Sequence, residues 1–378
     1  MLQPRRHHES QVPAPLDLEP SKLEGMHDSA AVQTSSATLR DRAFALAHTA
    51  RSLPPYIGLA ALFPGGPVPF RALPVTLHEA YAFHERLMSR PGFRALLAKL
   101  EREDLLTLPA MIAATPLDLL RIRHKFRSGT VRLPVLAPDD FPYPDYYLND
   151  FHNQKNGNLS LQAALTYEWQ ISVLFMGCNR LMRQAVIDHI PVGRDLQILD
   201  VACGTGAWIP QARLQGREHP ITAVDLSPAY LRYARWAQAL GWRDGTRFLQ
   251  LNAECLQPPG QPADAWTERF DLVTNIWLLH ELPRKAIERT IAETVRVLKP
   301  GGRLLLLDSM QRSDIPQDRR ARAESVYRFF ARFFNEPYYL AYQGLDVPSL
   351  LQAHGLTVET MEPWFRSKLW VARKAGGR

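Results

Sequence analysis

The sequence predicts an α/β fold: a mostly parallel, seven-stranded sheet with helices on both faces, an antiparallel hairpin at its C-terminal edge, and a helical region before it. Three observations carry this. From about residue 194 short apolar runs alternate with helical patterns, as parallel strands joined by helical crossovers require. The first run leads into a turn with almost no side chains, "DVACGTG". The chain ends in two stretches of alternating polarity joined by a short turn, which reads as a hairpin.

The strand-like runs lie at 197–202, 220–225, 247–251, 270–275 and 303–308, with helical stretches at 207–215, 228–240 and 284–298 between them. "LTVETMEPW" and "KLWVARK" supply the hairpin. Upstream, residues 1–37 are polar and aperiodic and are expected to form a disordered tail. Residues 38–135 read as a helical cap domain, with apolar spacing of three and four in "TLHEAYAFHERLMSR" and "GFRALLAKLERE". Pro54-Pro55, "PGGPVP" at 64–69 and Pro91-Gly92 punctuate it. Residues 136–193 form an aromatic linker, "FPYPDYYLNDFHNQKNGNLSLQAALTYEW" at 141–169, and a helical stretch over 160–190 that leads into the α/β domain at 194–378. There is no internal repeat.

Composition narrows the function classes. At 378 residues and 46% hydrophobic content the chain has room for two domains with proper cores. Its uninterrupted apolar runs, such as "LLLL" at 304–307, fall far short of the roughly 20 residues of a bilayer span, so no membrane span is expected. The N-terminus has basic residues but no apolar segment of a signal peptide. Cys178, Cys203 and Cys255 form neither a disulfide framework nor a metal pattern, which fits a reducing, cytoplasmic compartment and no metal. The net charge of +7 concentrates before the glycine-rich turn, with a dense patch in "RIRHKFRSGTVR" at 121–132. Such a run is more often a solvated helix face than a phosphate-binding surface, and nucleic acid is not the expected partner.

Gly204 and Gly206 can adopt backbone angles that other residues resist and let a ligand approach the main chain. Dinucleotides, phosphates and S-adenosylmethionine all use such a turn. A dinucleotide site asks for a third glycine where Ile209 stands, which counts against an NAD-dependent oxidoreductase, and no Lys-Ser or Lys-Thr follows to make a P-loop. Asp225 ends the second strand, where an acid can accept bonds from two ribose hydroxyls.

Read backwards from the glycines, Asp200-x-Ala202-x-Gly204-x-Gly206 resembles the acidic, glycine-rich turn of class I S-adenosylmethionine-dependent methyltransferases, with Ala202 in place of the first glycine. "VDLSPAYL", "LNAECL", "FDLVTNIWLLHELP" and "VLKPGGRLLLLD" follow in the family's order. The resemblance is closest to the small-molecule branch that includes the quinone-biosynthesis methyltransferases and covers 194–378. It implies a Rossmann-like fold, S-adenosylmethionine as cofactor, and cofactor contacts at Asp200, Ala202, Gly204, Gly206, Asp225, Leu226, Asn252, Ala253 and Asn275. Asn252 and the Ala253 backbone would meet the adenine, although many relatives carry Asp at the first position. Asp200 equally serves to orient the turn, and Cys203 reads as a packing residue.

Methyl transfer needs an acceptor in line, exclusion of water and, for some acceptors, removal of a proton. His280, just beyond the fourth strand, is the candidate general base, with a helix-cap role as the alternative and Glu281 as its orienter. Tyr143, Tyr146, Tyr147 and His152 in the linker, and Tyr338 and Tyr339 in "YRFFARFFNEPYYLAYQG", are the candidate lid and acceptor residues. Their rings suit a small or medium-sized, partly aromatic or apolar acceptor. A nucleic-acid methyltransferase using the 121–132 patch, and a cofactor- or partner-binding protein without catalysis, are the rival readings. Sequence alone leaves the oligomeric state open.

Overall fold

The computed structural model describes residues 37–54, 68–128, 133–241, 243 and 245–376, and residues 37–378 form one compact unit. The expected tail up to residue 36, most of the 64–69 turn and the last four residues of the basic run therefore lie outside the described residues.

Seven strands form one sheet: β1 Ile198–Val201, β2 Ile221–Asp225, β3 Thr246–Gln250, β4 Phe270–Ile276, β5 Leu298–Ser309, β6 Leu356–Trp364 and β7 Ser367–Lys374. Their order is β3-β2-β1-β4-β5-β7-β6. The first five run parallel, and β7 pairs antiparallel with both β5 and β6. Strand order reverses between β1 and β4, and a crevice opens at the carboxyl ends of strands where the order reverses. β5 starts earlier than its apolar run suggests, because Leu298 already pairs with Phe270 ahead of a register shift.

Alternation along the strands divides the core into two. Ile198, Ile221, Leu305 and Leu307 face one cluster; Leu199, Val201, Val273, Leu304 and Leu306 face the other. The second cluster is closed by helices Arg284–Val297 and Val347–Ala353. The first reaches much further along the chain. It runs through helix Asn179–Asp188 to three N-terminal helices: α1 Leu39–Arg51, α2 Val68–Met88 and α3 Phe93–Ser128. Thr38 and Asp41 start α1 with a reciprocal capping box.

Two expected elements differ. The helical stretch at 160–190 is two helices, α4 Leu161–Leu174 and α5 Asn179–Asp188. Met176 (φ 51°) and Gly177 (φ 80°) break it in left-handed conformations. A Cβ on Gly177 would stand 3.4 Å from Ser52 Oγ and 3.5 Å from His84 Nε2, so the break is where the N-terminal helices press against the chain. The helix begun by "GFRALLAKLERE" continues to Ser128 through Pro109 and Pro116. Over Phe93–Lys125 it is long and apolar enough to cross a membrane by length and composition, although its residues are interrupted by prolines and charges. Its inner face, however, is bonded to the rest of the protein along its length.

Leu87 of α2 is fully buried in the cluster shared with β1, β2 and β5. Leu87→Ala should cost about 2–5 kcal/mol. Because the core is shared, chemical denaturation should remain a single transition by far-UV dichroism and tryptophan fluorescence. Two transitions, of which only one moves, would contradict a common core.

Candidate active site

The site begins at the carboxyl end of β1. Ala202 (φ 57°), Gly204 (φ 53°) and Gly206 (φ 64°) all take left-handed conformations within five residues. Ala202 does so with a Cβ, a strain of order 1–3 kcal/mol that the surroundings must hold in place. They hold it from two sides. The Gly204 N–H donates to Asp225 Oδ2 (2.8 Å), and the Ser227 N–H donates to Asp225 Oδ1 (2.8 Å). Below the turn, Thr205 Oγ1 donates to Glu168 Oε1 (3.0 Å), which the Arg183 guanidinium grips with both ends (2.7 and 2.9 Å). The fully buried Arg243 donates through Nε to the Thr205 carbonyl (2.7 Å) and reaches Glu103 Oε1 on α3 (2.6 Å). A Cβ on Gly206 would lie 3.2 Å from Arg243 Nε and from Ile209 Cδ1, so this glycine makes room for the guanidinium.

A cavity of about 780 Å³, open mouth included, lies over this turn. Ala202, Gly204, Asp225, Leu226, Asn252 and Ala253 line one part of it. Asn252 Oδ1 accepts the Glu254 N–H (2.9 Å), which fixes the loop after β3. Tyr146, Tyr147, Phe151, His152, Asn158, Tyr167, Tyr230 and the loop after β4, from Ile276 to Leu278 with Glu281 and Leu282, line the rest. Three buried polar atoms of lining residues lack a partner: Asn158 Oδ1, Tyr230 Oη and His152 Nδ1. Open bonding capacity of that kind, beside a strained glycine turn and an acid at the end of β2, fits a polar nucleoside ligand.

The other expected residues sit outside the lining. Asp200 is buried beneath the turn, where Trp208 Nε1 (2.8 Å) and Thr274 Oγ1 (2.7 Å) donate to its two oxygens. Burial pushes its carboxyl up to about 7 against those two bonds. Asn275 is buried in β4. Tyr143 donates to Asp139 Oδ1 (2.9 Å), accepts from Gln250 Nε2 (3.0 Å) and stacks on Tyr147, so it braces the cavity wall from behind. Tyr338 packs edge-on against Tyr146, and Tyr339 is buried against Phe330 and His280.

His280 and His152 belong to one chain of ionisable groups. His280 Nδ1 lies 2.6 Å from Asp308 Oδ1, and its Nε2 is 3.9 Å from Glu336 Oε2. Glu336 Oε1 lies 3.3 Å from His152 Nε2, which is 3.5 Å from Glu281 Oε1. Of the two imidazoles only His152 faces the cavity. Burial opposes its charge, but the hydrogen bonds and charges of Glu281 and Glu336 outweigh that and raise its pKa to about 10. For His280, burial is likewise outweighed by Asp308 and the two glutamates, and the pKa rises to about 9. Glu281, though half-buried, is held below the ordinary carboxylate range by His152 and His280. Among the described residues no group of three His, Cys, Asp or Glu is placed to hold a metal ion.

His152 is held there by tertiary contacts. It has φ 55° and donates its backbone N–H to the Phe334 carbonyl (2.7 Å). Beside it, Asp150 accepts from Lys125 Nζ of α3 (2.7 Å) and from Asn335 Nδ2 (2.8 Å). Lining residues absent from the sequence reading include Phe151, Asn158, Tyr230 and Trp277. Tyr230 and Trp277 lie inside the motifs quoted above, but nothing in their spacing says which way they point.

Residues 198–302 match a family model described as a methyltransferase domain. The ubiquinone/menaquinone biosynthesis C-methyltransferase UbiE of Psychromonas ingrahamii is 31% identical over 148 residues, 39% of this chain and 55% of that protein. Its counterpart in Azotobacter vinelandii is 33% identical over 148 residues, with the same shares. The chain thus spans about half the length of the curated relatives it matches. A solved O-methyltransferase family protein from Burkholderia thailandensis is 19% identical, covering 57% of this chain and 61% of that one, with a TM-score of 0.42.

A group whose pKa is raised on folding stabilises fully below its unfolded value and loses that contribution as pH rises through the folded value. His152 should therefore support the fold at pH 6 and lose its contribution toward pH 10, where its partners remain ionised. His152→Gln should flatten the alkaline limb of the stability–pH curve measured by urea unfolding. A limb identical to wild type would place the proton elsewhere.

Proposed function

We propose that this chain, whose residues 198–302 match a methyltransferase-domain model, is an S-adenosylmethionine-dependent enzyme that methylates a small, flat and partly apolar acceptor held beneath the aromatic linker. The observation that carries this is the cavity itself. It joins the strained glycine turn and Asp225 on one side to a ring of Tyr, Phe and Trp faces with one ionised carboxylate, Glu281, on the other. S-adenosylmethionine supplies an electrophilic methyl group on a sulfonium when bound.

On this reading Asp225 accepts bonds from the two ribose hydroxyls while keeping those from Gly204 and Ser227, since each carboxylate oxygen has a second lone pair. Asn252 and Ala253 hold the adenine side, and the open Ala202–Gly204 backbone admits the amino-acid portion. Tyr146, Tyr147, Tyr167 and Trp277 stack the acceptor and exclude water. Glu281 would accept a hydrogen bond from an acceptor hydroxyl and take that proton as the methyl–sulfur bond breaks and the acceptor–methyl bond forms, with S-adenosylhomocysteine as the leaving group; His152 keeps that carboxylate ionised and oriented. His280, behind Glu336 and outside the cavity, acts through this chain as a positioning residue. The curated relatives are named as C-methyltransferases of ubiquinone and menaquinone biosynthesis. A hydroxylated aromatic ring is accordingly the acceptor class we favour.

S-adenosylmethionine and S-adenosylhomocysteine, each at about 100 times its dissociation constant, should stabilise the protein by roughly 2.7 kcal/mol and raise its unfolding midpoint by several degrees. NAD should leave the midpoint unchanged, and the opposite pattern would overturn the cofactor. Asp225→Ala should weaken S-adenosylhomocysteine binding at least about tenfold by calorimetry, from the loss of charge-assisted hydrogen bonds. Glu281→Gln should leave that affinity within a few-fold and lower kcat by about 10²–10⁴ on any accepted hydroxyarene. Wild-type turnover in this variant would remove Glu281 as the proton acceptor.

A further inference from the structure

Helix α3 presents its polar and apolar faces the wrong way round for a soluble helix. From residue 103 onward the buried side chains, Ala114 apart, are polar and bonded. Glu103 pairs with Arg243 and Tyr233 (2.6 and 2.9 Å), Asp104 with Arg180 (2.6 Å), and Thr107 with the Trp169 indole (3.1 Å). Further along, Asp118 pairs with Gln162 (3.0 Å) and Lys125 with Asp150 (2.7 Å). The opposite face carries Leu105, Leu106, Ile112, Leu117 and Leu120, each between 52% and 64% exposed, together with exposed Pro109, Ala113 and Pro116.

At about 100° per residue these positions fall within a sector about 140° wide, and from Leu105 to Leu120 the ridge runs for roughly 22 Å. Among the described residues, the exposed ionisable side chains in the same sector are all of basic type: Lys99 and Arg102 before the ridge, Arg123 and His124 after it. Of the helix's four acids, Glu103 and Asp118 are buried, Glu101 is half-buried against Arg51, and Asp104 is half-buried against Arg180. An apolar ridge with cations at both ends and no exposed acid complements an anionic bilayer surface: acyl chains take the Leu and Ile side chains, and headgroup phosphates take the cations. A second copy of the same face would offer the cations nothing to pair with.

We propose that the outer face of α3 docks on anionic lipid, the helix lying in the plane of the surface while its inner face stays bonded to the protein. The same helix is tied at Lys125 to Asp150, two residues from His152, so the docked face and the linker over the cavity belong to one bonded framework. This surface stands independently of which acceptor the cavity takes.

The test is co-sedimentation of the full-length protein with phosphatidylglycerol/phosphatidylcholine vesicles and with pure phosphatidylcholine. Wild type should bind the mixed vesicles and not the pure ones, and the triple variant Leu105→Gln/Ile112→Gln/Leu117→Gln should lose at least about tenfold in affinity at unchanged net charge. Arg102→Gln/Arg123→Gln should bind more weakly and with a shallower dependence on salt. All these side chains are exposed, so the unfolding midpoint should hold; Leu117→Gln alone, with a smaller loss, serves if the triple variant is unstable. Three outcomes would overturn the proposal: no binding to anionic vesicles, undiminished binding by the leucine and isoleucine variants, or a wild-type dimer in light scattering that the triple variant dissolves.

Discussion

Everything in the cavity depends on what grips Thr205. Its hydroxyl is bonded to a carboxylate that Arg183 holds with both ends, and its carbonyl is bonded to a buried arginine that also holds Glu103. Buried ion pairs of this sort contribute little net stability when intact, yet removing one partner costs about 3–5 kcal/mol because a charge is stranded. Their value here is positional. A loop with three left-handed residues in five would relax if it were free, and two guanidiniums fix it from beneath while Asp225 fixes it from above.

The grip also explains why the N-terminal helices and the sheet share a core. Glu103 lies on α3 and Glu168 on α4, so the two carboxylates that hold the turn from beneath come from outside the α/β part of the chain. The matched methyltransferase domain, 198–302, contains the turn but neither of these acids. The linker between the two regions is held in the same way. Lys125, Asp150 and Asn335 tie it down at the point where His152 enters the cavity. Past the buried Leu100, polar side chains that face inward on α3 thus do the work usually left to apolar ones, and the large apolar residues from Leu105 to Leu120 are left on the outside.

Much of the α/β region was readable in advance because its signals are local. Strand runs, crossover helices, the terminal hairpin and the glycine turn each lie within a dozen or so residues, and parallel order follows from alternation. The β5 boundary was misplaced because Leu298 is recruited by a partner strand, not by its neighbours. The helical stretch at 160–190 hid a break at Gly177 that exists to let α1 and α2 approach.

By itself, then, the sequence determined the fold class, the strand content and the left-handed glycine turn at the carboxyl end of the first strand, since glycine and a strand-end acid act through their own backbone geometry. Only the tertiary structure decided which histidine faces the cavity. His280 and His152 are 128 residues apart in sequence and joined through Glu336, and nothing local shows that one is sealed behind a glutamate while the other is exposed to the cavity. The same holds for α3. Periodicity reveals which residues share a face, but buried partners on other elements decide which face turns inward. On this helix Arg243, Arg180 and Gln162 outbid the apolar ridge for the interior.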